Sequence, residues 1–115
     1  MNSSSNSDAS NRQDSVRVVC RVRPQNDLEI RSGGLNCLNL QAANAVEMDY
    51  DGGLFNFPYD RVFASSISQK DVFDYVGAPI IQEIFSGYNS TIIAYGQTSS
   101  GKTYTMEVCI MPFSY

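Results

Sequence analysis

Gly96-Gln97-Thr98-Ser99-Ser100-Gly101-Lys102-Thr103 satisfies G-x-x-x-x-G-K-[ST] at every fixed position. It directly follows Thr91-Ile92-Ile93-Ala94-Tyr95, a short apolar run that reads as a buried strand. A loop that wraps a phosphate chain must turn successive backbone N–H groups inward. Gly96 and Gly101 allow the close approach and unusual dihedrals this requires. Lys102 then places a cation near the β- and γ-phosphates, and Thr103 supplies a hydroxyl to Mg²⁺. A helix beginning near Lys102 aims its positive end at the same anion. With Gly at about 7% of residues and ordinary Lys and Ser/Thr usage, chance yields such a match in roughly 0.5% of chains this long. The competing reading is a glycine-rich turn that holds no ligand.

Upstream, Val72, Phe73, Val76, Ile80, Ile81 and Ile84 recur at helical spacing, predicting a helix over residues 69–85. Ser68 with Asp71 resembles a capping box in which Asp replaces the preferred Glu. Gly77-Ala78-Pro79 predicts a kink or two shorter helices, and Gly87 a terminator. Further back, residues 36–41, 45–49 and 54–58 are strand candidates. The Asp51-Gly52-Gly53 turn between the last two predicts a hairpin in a small antiparallel lobe. The first strand begins at Val16, with Val16, Val18, Cys20 and Val22 on its apolar face, and Pro24 ends it. Residues 1–15 are dominated by Ser and Asn and read as a disordered tail. Together these give an α/β chain with one small domain at most.

Composition removes several function classes. The net charge of −4 gives no reason to expect nucleic acid or an anionic membrane as partner. After Arg61 the only basic residues are Lys70 and Lys102, so Lys102 is locally conspicuous. The chain has no His, and Cys20, Cys37 and Cys109 follow no metal-ligand spacing. A zinc site, a Ser–His–Asp triad and a Cys–His pair are thereby set aside. The thiols read as reduced cysteines of a cytosolic protein. No apolar run approaches the roughly 20 residues of a membrane span, and no signal peptide is evident. Asn89-Ser90-Thr91 fits the glycosylation sequon, a coincidence in a chain without a secretory signal.

The flanks of the loop carry a resemblance. Gly87-Tyr88-Asn89-Ser90-Thr91-Ile92-Ile93-Ala94-Tyr95 and the loop itself, continuing into Tyr104-Thr105-Met106, closely resemble the kinesin signature GYNGT-hydrophobic-FAYGQT-x-SGKT-x-TM. Val19-Cys20-Arg21-Val22-Arg23-Pro24 is similar to the family's first strand with its RxRP motif, and Phe57-Pro58-Tyr59-Asp60-Arg61-Val62-Phe63 to its FxFDxVF segment. Ser90, Ile93 and Tyr59 are mild departures. The resemblance covers residues 16–106, read as the N-terminal part of a motor domain, while residues 107–115 do not look like the family. It implies an incomplete P-loop NTPase-type mixed sheet carrying the antiparallel β-lobe.

By that resemblance the ligands are ATP or ADP with Mg²⁺, and the partner of the parent motor is the microtubule, in the cytoplasm and on the cytoskeleton. Arg21, Arg23 and Pro24 would border the adenine and ribose, and Tyr104 would stack near the base. Gly96, Gln97, Thr98, Ser99, Ser100, Gly101, Lys102 and Thr103 would hold the phosphates, with Thr103 on the metal. By composition alone Arg21 and Arg23 read as a solvated strand face, and Tyr104 as packing against the first strand. No residue is assigned a catalytic role.

Rapid phosphoryl transfer also needs a γ-phosphate-sensing switch loop and an acidic residue to orient the metal. The family's NxxSSRSH and DxAGSE motifs do not occur in the 115 residues. The expectation is therefore a nucleotide-binding segment that neither hydrolyses ATP rapidly nor walks, and that folds marginally unless a partner covers its open edges. Two other readings stand beside it. One is a short non-catalytic product that binds nucleotide or a partner. The other is an unrelated phosphate-loop kinase, which fits the loop but not the RxRP and YDRVF segments. The sequence is silent on oligomeric state, subfamily, direction of travel and cargo.

Overall fold

The computed structural model describes residues 16–107; the expected tails at residues 1–15 and 108–115 lie outside the described residues. The elements run β1 (Val19–Arg21), α1 (Asp27–Arg31), β2 (Leu38–Asn39), β3 (Ala45–Tyr50), β4 (Gly53–Pro58), β5 (Arg61–Phe63), α2 (Gln69–Phe85) and α3 (Lys102–Glu107).

Two small sheets result, one parallel and one antiparallel. The antiparallel lobe has strand order β2-β3-β4. Tyr50 pairs with Gly53, leaving Asp51-Gly52 as a two-residue loop. Both have positive φ, 51° at Asp51 and 74° at Gly52. That pair of signs belongs to the mirror-image turns whose twist matches antiparallel strands. The second sheet pairs β1 with β5 in parallel, Cys20 opposite Val62. Asp60 sets this register from both sides, because its carboxylate accepts from the Val18 N–H at 2.7 Å and its own N–H donates to the Val18 carbonyl. The ladder spans only three residues of β1, shorter than the strand expected from residue 16.

α2 starts where the sequence places it. The Ser68 hydroxyl accepts from the Asp71 N–H at 3.2 Å and donates to the Asp71 carboxylate. The helix ends in a Schellman arrangement, Tyr88 N–H to Glu83 carbonyl and Gly87 N–H to Ile84 carbonyl, both 3.0 Å, with Gly87 at φ 91°. The expected interruption at Gly77-Ala78-Pro79 does not split it, and one helix runs through Pro79. Proline lacks the N–H that would have bonded the carbonyl four residues back. That carbonyl belongs to Tyr75, and Arg17 Nη1 donates to it at 3.4 Å. The Arg17 guanidinium also lies 5.5 Å from the Tyr75 ring centroid. Gly77 completes the accommodation, since a Cβ there would come within 2.7 Å of the Phe73 ring.

The core lies where β3, β5 and α2 meet. Among the described residues its buried apolar side chains are Val46, Val62, Phe63 and Val72. Phe63 meets Tyr75 edge-on with ring centroids 5.6 Å apart.

The expected buried strand at residues 91–95 is corrected: this segment joins no ladder. Ile93 is 83% exposed and Tyr95 99%. An apolar run becomes a strand only when another backbone takes its N–H and C=O groups, and no described strand pairs with this one. Instead it borders a cleft of about 580 Å³ that Val76, Ile80 and Ile84 of α2 also line.

Candidate phosphate-binding site

Residues 96–101 form an irregular loop leading into α3. Its backbone takes conformations that side-chain-bearing residues rarely adopt. Gly101 has φ 99°, and Ser99, which is not glycine, has φ 67°. At Gly96 an added Cβ would stand 2.6 Å from the Ser100 hydroxyl. The loop therefore closes on itself at the position where the motif specifies glycine.

Two cations hold this shape. Lys102 Nζ donates to the carbonyls of Gly96 and Gln97 at 2.5 and 2.8 Å, so its ammonium lies inside the turn. Arg23 Nε donates to the Ser99 carbonyl at 2.9 Å, securing the strained residue from outside. The backbone supplies one internal bond, Ser100 N–H to the Gln97 carbonyl at 3.2 Å. The N–H groups of Gly101, Lys102 and Thr103 have no acceptor among the described residues. A cationic side chain, unpaired N–H groups and the exposed Thr103 together form a donor set suited to a polyphosphate with a divalent cation.

Arg23 is itself fixed by a residue that the sequence reading passed over. Its guanidinium makes a two-point ion pair with Glu29 and also donates to the Pro24 carbonyl at 2.8 Å. Glu29 sits at the third position of α1, where Asn26 and Glu29 form a complete capping box. Asn26-x-x-Glu29 spelled that signal within a stretch read only as polar. The hydrogen bond from Arg23, and after it the Asn26 N–H, holds the Glu29 carboxyl down to about 2 from its ordinary 4.5.

That depressed value fixes a pH window. The Glu29 contribution is complete above the unfolded carboxyl value near 4.5 and is lost as pH falls through about 2. A carbon-detected NMR titration should therefore place the Glu29 midpoint near 2, and Arg23→Ala should return it toward 4.5. A midpoint of 4 or above in the unmodified chain, within the usual range for Glu, would show that the latch is not formed.

Arg21 and Tyr104 meet across the base of the loop, with the guanidinium carbon 5.1 Å from the ring centroid. Arg21 Nη1 also donates to the Gln69 Oε1 and, at 3.2 Å, to the Thr105 hydroxyl. Tyr104 is 58% exposed, so its ring is not closed off by the first strand. The structure thus brings Arg21 to Tyr104 and Arg23 to Ser99 of the loop, while Pro24, next to Arg23, is exposed. Elsewhere, burial pushes the Cys20 thiol up, away from a reactive thiolate. Among the described residues no His/Cys/Asp/Glu cluster is placed to hold a metal, and no helix is long and apolar enough to cross a membrane.

Comparison with known proteins converges on one family. The family model described as the kinesin motor domain matches residues 21–110. The kinesin heavy chain of Botryotinia fuckeliana is 45% identical over 92 residues, covering 80% of this chain and 10% of that one. The kinesin heavy chain of Syncephalastrum racemosum is 47% identical over 93 residues, covering 79% and 10%. A solved structure of a fast kinesin, described for its ATPase mechanism and interactions with microtubules, superposes with a TM-score of 0.73 at 43% identity. That superposition covers 77% of this chain and 25% of the solved one. The chain therefore spans about a tenth of the length of these curated relatives.

Proposed function

Since this chain belongs to the kinesin motor-domain family, we propose that residues 96–103 bind the phosphates of ATP or ADP with Mg²⁺ as the nucleotide-holding part of a microtubule motor. The observation that carries the reading is the loop itself. Its positive-φ glycines, its strained Ser99 and its inward ammonium go with Gly101, Lys102 and Thr103 N–H groups that no described acceptor takes. Such preorganisation spares the chain the cost of ordering a loop when the anion arrives.

Each residue has a distinct part. Lys102 supplies charge to the phosphates, and the Gly101, Lys102 and Thr103 amides donate to their oxygens. The Thr103 hydroxyl is the ligand this chain offers to Mg²⁺, a hard cation that prefers oxygen and keeps several waters. Arg23 holds Ser99 and through it the loop's curvature. Arg21 and Tyr104, with Arg23 and Pro24 nearby, border the base and ribose. Bound Mg²⁺ would supply the charge neutralisation that phosphoryl transfer demands. Microtubule binding and a place on the cytoplasmic cytoskeleton follow for the protein in which this segment works.

Isothermal titration of the 115-residue chain with Mg–ATP and Mg–ADP tests the binding part. Saturable one-to-one binding, competed by tripolyphosphate, is expected; no heat with either nucleotide would overturn it. A polypeptide of the relatives' length carrying this segment should pellet with stabilised microtubules. Failure to pellet would remove the motor reading while leaving the nucleotide site.

A further inference from the structure

We infer that Gln69, the first residue of α2, is a positioning residue that sets the adenine platform. The inference rests on the nucleotide reading above. Both ends of its carboxamide are engaged across three elements. Oε1 accepts from Arg21 Nη1 at the end of β1, and Nε2 donates to the carbonyls of Tyr104 and Thr105 at 3.3 and 3.1 Å. A carboxamide offers one carbonyl acceptor and two N–H donors, so a single side chain can hold a guanidinium and two carbonyls at once.

The geometry explains why this matters for the base rather than the phosphates. The two carbonyls lie one turn into α3, beyond Lys102 and Thr103, while the loop is secured separately by Lys102 and Arg23. Gln69 therefore fixes the helix at Tyr104 and the guanidinium that faces the Tyr104 ring. With one ring face presented to Arg21, the exposed remainder is a flat apolar platform of defined orientation. Without Gln69, Arg21 keeps one hydrogen bond, to the Thr105 hydroxyl, to hold it over the Tyr104 ring, and two helix carbonyls lose a donor.

The test compares two ligands on the full chain, Mg–ATP and tripolyphosphate with Mg²⁺, by calorimetry or competition. Gln69→Ala is expected to weaken ATP about tenfold, the scale of two or three modest hydrogen bonds, and tripolyphosphate less than about twofold. Gln69→Glu keeps an acceptor for Arg21 but turns a carboxylate toward two carbonyls, so it should lose ATP at least as strongly. Collapse of the ATP-over-tripolyphosphate preference in both variants supports the inference. An unchanged preference, or equal loss of both ligands, overturns it and leaves the phosphate loop standing. If the unmodified chain binds neither ligand, the nucleotide reading fails and this inference fails with it.

Discussion

Lys102→Ala should cost the chain between about 10-fold and 150-fold in affinity for Mg–ATP, read by calorimetry at fixed salt. Hydrogen bonds to charged groups contribute about 1.5–3 kcal/mol, and each 1.4 kcal/mol is about tenfold. The upper end is favoured because the substitution acts twice. It removes the only Lys or Arg after Lys70, and it releases the Gly96 and Gln97 carbonyls that the ammonium ties together. Lys102→Arg separates the two effects. It preserves charge but replaces a compact ammonium by a planar fork too wide for the turn, so most of the loss should persist. A change under about threefold in Lys102→Ala would mean that the phosphates lie elsewhere.

What could be read from the sequence divides by how far each element's causes lie along the chain. The Asp51-Gly52 turn and the limits of α2 were legible because their causes are local. Two positive φ values need Asp-Gly, a Ser caps one end and a Gly closes the other. The glycine-bounded loop was legible for the same reason. The segment 91–95 was not, because strand formation depends on a neighbour that sequence pattern cannot supply. Continuity through Pro79 was likewise hidden. The partner for the freed Tyr75 carbonyl is Arg17, 58 residues away. At the site, the loop residues and the two arginines were named, but their supports were not. Glu29 carried a readable signal in its capping box, whereas nothing local distinguishes Gln69 from any polar residue at a helix start.

Phe63→Ala is expected to dissolve the β1–β5 ladder. Phe63 is 3% exposed and packs edge-on against Tyr75, and it is the best covered of the four buried apolar side chains among the described residues. Truncating a buried Phe costs about 3–5 kcal/mol, a large share of the roughly 5–15 kcal/mol that holds an ordinary domain. Little other apolar burial offsets that loss, since Phe85 and, at the cleft along α2, Ile93 and Tyr95 stand largely in water. Amide exchange gives the readout: the Val22 N–H donates to the Phe63 carbonyl at 2.9 Å and should lose its protection. The β3–β4 hairpin, registered by its own turn, should lose less. Leu54→Ala, at a site 71% exposed, is the control and should shift stability by no more than about 0.5 kcal/mol. Because β1 carries Arg21 and leads into Arg23, Phe63→Ala should also weaken Mg–ATP, whereas Leu54→Ala should not. Retained Val22 protection in Phe63→Ala would show that the strands are held by backbone pairing alone, and that the link from core to base platform does not exist.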